Sequence, residues 1–556
     1  MISTKQEVQI LAALMLQKGI THVVISPGSR NAPLINTFDG LAEFTCYNVV
    51  DERSAAFFAM GLALKLKQPV AVACTSGSAI LNYASAAAEA FYQKIPLLIL
   101  SADRPREWID QGDGQTIRQE NALLNVVKKS ISLTGGMRDE TEIWHNTRLI
   151  NEGLNALVQP EAGSVHINLP FAEPLYGLTD NILPKVKNIS LLGKEISLSE
   201  EEIKHLKTQW NEANRKIILV GQMQADAELN QLLCKFSEEK DVVVLSEKTS
   251  NIQGEYIIDS IDNVIFHNND EALSPDLLVT LGGQIVSKKV KAFLRQNKAK
   301  NHWHFSPSMD AQDTFMSLTE VIAADATNVL KQMPLSQNTS SDFATKWQSL
   351  NAKMAELNLK YAESLDFCDF KVYESIIKAL PEGSTLHLSN STPARYIQLF
   401  PMKNVVYQCN RGTSGIDGVM STASGYALAD DGLNLLIIGD LTFFYDSNAL
   451  WNRHFPSNLK IVLINNGGGD IFRFIPGSSD VPASEKHFAA RHSTKAKGLV
   501  ENFGINYFQA SDLNDFEMQL KELLSSDKSG VLEVFTPNEI NTQILRDYFK
   551  YLNDNI

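Results

Sequence analysis

Residues 435–469 read LLIIGDLTFFYDSNALWNRHFPSNLKIVLINNGGG, and the fold turns on this stretch. The apolar run Leu435 to Ile438 stops abruptly at Gly439-Asp440. A helical stretch from Thr442 to Trp451 follows, then a second apolar run, KIVLI, that stops at Asn465-Asn466 and three glycines. Short apolar runs bounded by turn formers predict strands buried on both faces, as in a parallel sheet. A strand, a helix and a parallel strand place both strand ends at one sheet edge, where doubly wound sheets bind ligands. Asp440 is therefore a helix cap or a ligand. Asn-Asn-Gly alone reads as a turn. Together, a carboxylate, a carboxamide and a carbonyl freed by glycine form a hard oxygen set. Such a set suits Mg²⁺, which keeps water and takes further oxygens from a phosphate.

The same grammar extends outward through the 556 residues, which are too many for a single core. STLHLSN, NVVYQC and GVLEVFTP complete the strands of a carboxy-terminal unit, residues 346–556. At the other end THVVIS, FTCYNVV, PVAVACT and PLLILSA alternate with the helical stretches SAAFFAMGLALKLK and AILNYASAAAEAFYQK in a unit of residues 1–185. Between them, residues 186–345 carry an acidic helix and the strands KIILVG, DVVVLS and DLLVTLGG, and end in the linker-like MPLSQNTSSD. The expected class is α/β, with three doubly wound parallel-sheet units. Short repeats and low-complexity tracts are not found.

Composition narrows the function. A net charge of −14 argues against a nucleic-acid or anionic-membrane surface. Cys46, Cys74, Cys234, Cys368 and Cys409 show no CxxC spacing, which predicts neither a disulfide framework nor a zinc site and fits a reducing, cytoplasmic setting. The first residues, with Val8, Leu11, Leu14 and Leu16 between polar ones, read as an amphipathic helix rather than a signal peptide. No apolar run is long enough to cross a bilayer.

A second carboxylate sits in YNVVDERSAAFFAMG, where Glu52 follows a strand end. It is either a first-turn glutamate favoured by the helix dipole or a group in a closed site, since the helix behind it is too apolar to be exposed. Thr75-Ser76-Gly77-Ser78 form another glycine loop at that edge. His22, His145 and His166 of this unit are unpaired, and His302 and His304 read as a partly buried strand pair.

The Gly-Asp and Asn-Asn-Gly pattern resembles the motif of thiamine-diphosphate (ThDP) enzymes. VVISPGSRNAPL, VVDERSAAFFAMGLAL, SADRPREWIDQGDGQTIRQ, SNSTPARYI, NRGTSGIDGVMSTASG and INNGGGDIF together resemble one family among them. That family is the 2-succinyl-5-enolpyruvyl-6-hydroxy-3-cyclohexene-1-carboxylate synthases of menaquinone biosynthesis. The resemblance implies that residues 1–185 bind the aminopyrimidine, 186–345 form a central domain and 346–556 bind the diphosphate. It implies that Asp440, Asn466 and the Gly468 carbonyl hold Mg²⁺ or Mn²⁺, that Gly439 and Leu441 flank the cofactor, and that Ile416 props its bent shape. Glu52 would bond the aminopyrimidine and drive it to the imino tautomer, general acid–base catalysis relayed through the cofactor.

The implied substrates, 2-oxoglutarate and isochorismate, are dicarboxylates. The family's substrate residues map onto Ser29, Arg30, Arg104, Gln115, Lys288, Ser391, Arg395 and Arg411, with Phe472 as an apolar wall. Guanidinium forks suit carboxylates. One departure is Lys288-Lys289, where a Lys-Arg pair is expected, which leaves the role of Lys289 open. The implied reaction is decarboxylation of 2-oxoglutarate and Stetter-like addition of the resulting carbanion to isochorismate. The implied assembly is a homodimer or dimer of dimers, with the cofactor between the first unit of one subunit and the third of another. The alternatives are another ThDP carboligase or 2-oxo-acid decarboxylase of the acetolactate-synthase kind, or a catalytically silent cofactor-binding regulator.

Overall fold

The computed structural model describes residues 1–180, 182–193, 196–266, 271–335, 340–469, 471–474 and 481–555. Three parallel sheets carry the chain. The first has six strands in the spatial order Thr45–Asn48, His22–Ile25, Val70–Cys74, Leu97–Asp103, Val165–Pro170 and Lys129–Ser132. The third has Val406–Cys409, Thr385–Leu388, Asn434–Gly439, Leu459–Ile464, Gly530–Val534 and Asn506–Ala510. Counted in chain order within each sheet, both run 2-1-3-4-6-5, and the five-stranded middle sheet runs 2-1-3-4-5. Strand order therefore reverses between the first and third strands of every sheet, and the crevice beyond their carboxyl ends is where such sheets bind ligands.

Several strands were not legible from apolar runs. Lys129–Ser132, Val165–Pro170, Glu320–Ile322 and Asn506–Ala510 complete the sheets although polar residues interrupt them, and Asn301–Phe305 is the strand expected from His302 and His304. The helix expected from Thr442 begins two residues earlier, at Asp440, and gives way to a 3₁₀ turn at Ser447–Trp451. Residues 336–339 of the expected linker lie outside the described residues.

Four helices matter for the site: α1 (Glu52–Leu66), α2 (Ala84–Tyr92), α3 (Val419–Leu428) and α4 (Asp440–Tyr445). Helix α1 of the first unit crosses α3 of the third through two glycines. A Cβ on Gly61 would lie 2.0 Å from the Thr422 carbonyl oxygen, and one on Gly425 2.0 Å from that of Phe58. The crossing leaves no room for a methyl group. We expect Gly425→Ala to destabilise the protein by about 1–3 kcal/mol through overpacking. A lowered urea midpoint checks this, and an unchanged one refutes so close a crossing. Asp446, just past α4, accepts bonds from the Ser421 N–H (2.7 Å) and hydroxyl (2.8 Å), which ties α4 to the first turn of α3.

The middle sheet is joined to the third by Phe343–Glu363. This helix buries Phe343 and Trp347 in one core and Met354 and Leu357 in another. Among the described residues, no helix is long and apolar enough to cross a membrane.

Candidate active site

At the switch point of the third sheet lies a cavity of about 390 Å³. Its floor is built by adjacent strands in register, Gly439 opposite Ile464, so that Asp440 and Asn465-Asn466 leave the sheet side by side. The Asp440 carboxylate accepts the N–H of Gly468 (2.9 Å) and of Leu441 (2.6 Å), and His492 Nε2 lies 3.3 Å away. Burial pushes this carboxyl above its ordinary range, against the pull of those N–H groups and His492. The carboxylate faces the cavity, and burial is the larger influence on it.

The two asparagines divide the work. Asn465 turns inward, donating to the Thr494 carbonyl (2.9 Å) and Glu533 (2.7 Å), and thereby fixes the turn. Asn466 lines the cavity and reaches Asp369 at 3.4 Å. Gly468 has φ +145°, and a Cβ there would lie 2.4 Å from the Ala489 carbonyl. At Gly439 an added Cβ would meet nothing within 4 Å, so the strand end is open to the space beyond it. Asp440, Asn466 and Gly468 thus line one cavity, and a carboxylate, a carboxamide and a backbone carbonyl are the oxygen donors that suit Mg²⁺ or Mn²⁺ and a diphosphate.

Ser391, Arg395, Arg411, Ile416, Leu441 and Phe472 line the same cavity. Ser391 adopts φ +74°, a costly conformation for serine, and its carbonyl accepts Arg395 Nη1 at 2.8 Å. Burial and the neighbouring Arg411 both push the Arg395 guanidinium down. Arg411 donates to Asn390 Oδ1 (3.0 Å), while its buried Nε has no hydrogen-bond partner among the described residues. Two guanidiniums this close, with one donor unused, make the cavity receptive to anions.

A second cluster occupies the corresponding edge of the first sheet. Arg30 is buried and bonds the Phe171 carbonyl (3.0 Å) and Glu173 (3.2 Å). Arg104 pairs with Asp113 at 3.0 Å. Ser29 precedes Arg30, and Gln115, at φ +53°, lies against Gly77. Glu52 opens α1 after Asp51, which caps the helix at Ser54 N (3.1 Å). Half-buried, its carboxyl is pushed up by burial, and its charge reaches Cys74 and Tyr83.

Neither Glu52 nor the rest of this cluster lines the cavity. Its neighbours are tied to the end of α4 remote from Asp440. Arg53 donates to the Tyr445 carbonyl (2.6 Å) and lies over its ring, and Asn448 bonds Asp51. Lys288 is exposed on the middle unit. Lys289 lies over the ring of Phe549, with burial pulling its ammonium down to about 8, and does not line the cavity. His302 and His304 both bond the Thr280 hydroxyl at 2.9 Å, so their pairing is structural.

Asp369 and Asn390, among the polar residues of the cavity, had no part in the sequence reading. Asn390, within the quoted SNSTPARYI, donates to the carbonyls of Asn410 (2.6 Å) and Gly415 (2.7 Å) and carries Arg411. Asp369 is buried and pushed up to about 6, with Thr536 donating to it at 2.6 Å. An aspartate opening a helix gives no sequence signal for such a place.

Comparison with known proteins agrees with this arrangement. The family described as thiamine pyrophosphate enzyme, N-terminal TPP binding domain, matches residues 6–123, and the middle domain of thiamine pyrophosphate matches residues 191–388. The 2-succinyl-5-enolpyruvyl-6-hydroxy-3-cyclohexene-1-carboxylate synthase of Flavobacterium johnsoniae is 42% identical over 554 residues, 98% of each chain. That of Bacteroides fragilis is 40% identical over 573 residues, covering both chains fully. Among solved structures, benzoylformate decarboxylase from Polynucleobacter necessarius superposes with a TM-score of 0.71 at 15% identity, over 96% of this chain and 99% of that one. A putative thiamin diphosphate-dependent enzyme from Mycobacterium smegmatis gives 0.70 at 16%, over 96% and 100%. These two share the fold. With a likeness of about 40% along nearly its whole length, the chain belongs to the 2-succinyl-5-enolpyruvyl-6-hydroxy-3-cyclohexene-1-carboxylate synthase family of ThDP-dependent enzymes.

Proposed function

We propose that the protein decarboxylates 2-oxoglutarate and adds the resulting four-carbon unit to isochorismate, forming 2-succinyl-5-enolpyruvyl-6-hydroxy-3-cyclohexene-1-carboxylate. The observation that carries this reading is one cavity holding Asp440, Asn466 and Gly468 at its floor and Arg395 and Arg411 in its wall. ThDP, when bound, supplies the carbon nucleophile and electron sink that 2-oxo-acid decarboxylation needs. The chain's own groups do the rest. Asp440, Asn466 and the Gly468 carbonyl would hold the divalent ion against the diphosphate, beside Gly439 and Leu441. Ile416 props the cofactor, and Phe472 excludes water.

Ser391, Arg395 and Arg411 receive substrate carboxylates, together with Ser29, Arg30, Arg104, Gln115 and Lys288 from other units. Glu52 holds the proton at the aminopyrimidine. Because Glu52 lies away from its own chain's cavity, we assign the complete site to two copies. The first unit (1–185) of one copy then meets the third (346–556) of its partner across a homodimer or dimer of dimers, with 186–345 as the central domain.

The test starts from chelator-stripped protein. Turnover should return with ThDP plus Mg²⁺ or Mn²⁺, with CO₂ released from 2-oxoglutarate and product formed only when isochorismate is present. Arg395→Ala and Arg411→Ala should each lower kcat/KM for one substrate roughly 10- to 100-fold, at about 1.5–3 kcal/mol for hydrogen bonds to a charged group. Arg→Lys should restore only part, since an ammonium cannot form the bidentate pair. Ready decarboxylation of pyruvate, with 2-oxoglutarate ignored and both alanine variants unimpaired, refutes the dicarboxylate assignment.

A further inference from the structure

Arg411 sits on the loop Asn410–Ser414, and that loop is gripped by a residue far away in the chain. Glu89 lies on α2 of the first unit, in the alanine-rich ASAAAEAFY, and is 1% exposed. One carboxylate oxygen accepts the Gly412 N–H at 2.6 Å. The other accepts the Thr413 N–H at 2.7 Å and its hydroxyl at 2.6 Å. No Lys, Arg or His forms an ion pair with Glu89 among the described residues, so these donors and Gln93 hold a buried carboxylate. Burying a charge for the sake of packing alone is unfavourable.

The surroundings show what the charge is for. Gly412 approaches α2 so closely that a Cβ on it would lie 2.6 Å from the Glu89 carbonyl. Gln222 of the middle unit donates to the Cys409 carbonyl at 2.6 Å, and Gln284 donates to that of Gly412. All three units therefore fix the backbone on either side of Arg411, whose buried Nε has no hydrogen-bond partner among the described residues. We propose that Glu89 is the positioning residue for Arg411, setting the height and direction of its guanidinium for a substrate carboxylate from the adjacent unit of the same chain. The inference rests on the substrate-binding reading of Arg411 given above. A carboxylate suits the task because each of its partners donates. Glutamine at this position would set an NH₂ against an N–H.

The experiment uses the full-length enzyme loaded with ThDP and Mg²⁺. Glu89→Gln should lower kcat/KM for the substrate that Arg411 serves by about tenfold or more, chiefly through KM, with ThDP affinity little changed. In an Arg411→Ala background, Glu89→Gln should lower kcat/KM by less than about twofold further, since coupled residues are not additive. Thr413→Val, which removes one hydroxyl donor, should shift KM in the same direction by less, and it carries the same cycle where Glu89→Gln does not fold.

Equal losses in both backgrounds, or a fall in ThDP affinity in step with kcat/KM, make Glu89 a mere structural clamp and overturn the proposal. Unimpaired Glu89→Gln beside an impaired Arg411→Ala overturns it alone. An Arg411→Ala enzyme with unchanged kcat/KM for both substrates overturns the reading of Arg411, and this proposal with it.

Discussion

Replacing Glu52 by glutamine should lower turnover by about 10² to 10⁴, the usual cost of losing one acid–base group, and leave diphosphate affinity nearly unchanged. The asymmetry follows from placement. Asp51, not Glu52, caps α1, and it is Asp51 and Arg53 that tie the turn to Asn448 and Tyr445. The fold therefore does not need the Glu52 charge. Its carboxyl is nonetheless half-buried and pushed up by burial at the edge of the first sheet, a position that suits a group exchanging a proton with a bound partner. Glutamine keeps the shape and the hydrogen-bonding reach and removes the exchangeable proton. The direct readout is exchange of the cofactor's C2 hydrogen in deuterated buffer, followed by NMR after acid quench. Near-normal exchange in the variant would leave Glu52 as a helix-dipole residue only.

The sequence made the ends of the central strands legible because those strands are buried on both faces and read as unbroken apolar runs. This is why Asp440 and Asn466 are legible at a sheet edge, whereas Glu52 follows the partly exposed edge strand Thr45–Asn48 and is marked instead by the apolar helix behind it. The same logic hid Val165–Pro170. There His166 bonds Ser101 (2.8 Å), and Asn168 accepts from Ser101 (2.7 Å) and donates to Asp103 (2.8 Å), so the strand buries a satisfied polar network that mimics a loop in sequence. His302 and His304, two residues apart, instead betray Asn301–Phe305 as a strand by their alternation.

Within the site, the pair Asn465-Asn466 is one motif in sequence but two roles in space, told apart by the contacts of Asn465 with Thr494 and Glu533 and of Asn466 with Asp369. Glu89 carried a readable sign, an acidic residue inside an otherwise apolar helix face. Its partner, the backbone beside Arg411, is more than half the chain away and belongs to tertiary structure.

Asp440→Ala should abolish turnover and weaken metal-dependent cofactor binding beyond the roughly 10- to 100-fold that losing a mere supporting partner of a metal ligand costs. The apo protein should keep its melting temperature. Burial raises the folded pKa of this carboxyl above its unfolded value, so ionised Asp440 is a cost to the fold above that pKa, set against the N–H bonds from Gly468 and Leu441. Removing it takes away both together. Full ThDP affinity in the variant refutes the metal assignment.

The same variant also tests where the second half of the site comes from. In an assembly completed by two copies, a dimer of one Glu52→Gln chain and one Asp440→Ala chain has one site with both lesions and one with neither. Co-expressing the two chains with different tags and isolating the mixed species should therefore restore activity that neither parent shows. If each chain builds its own site, every site in the mixed dimer carries a lesion and no activity returns. The tie of the Glu52 turn to Tyr445, at the end of α4 remote from Asp440, favours restoration, because it holds Glu52 away from its own chain's cavity.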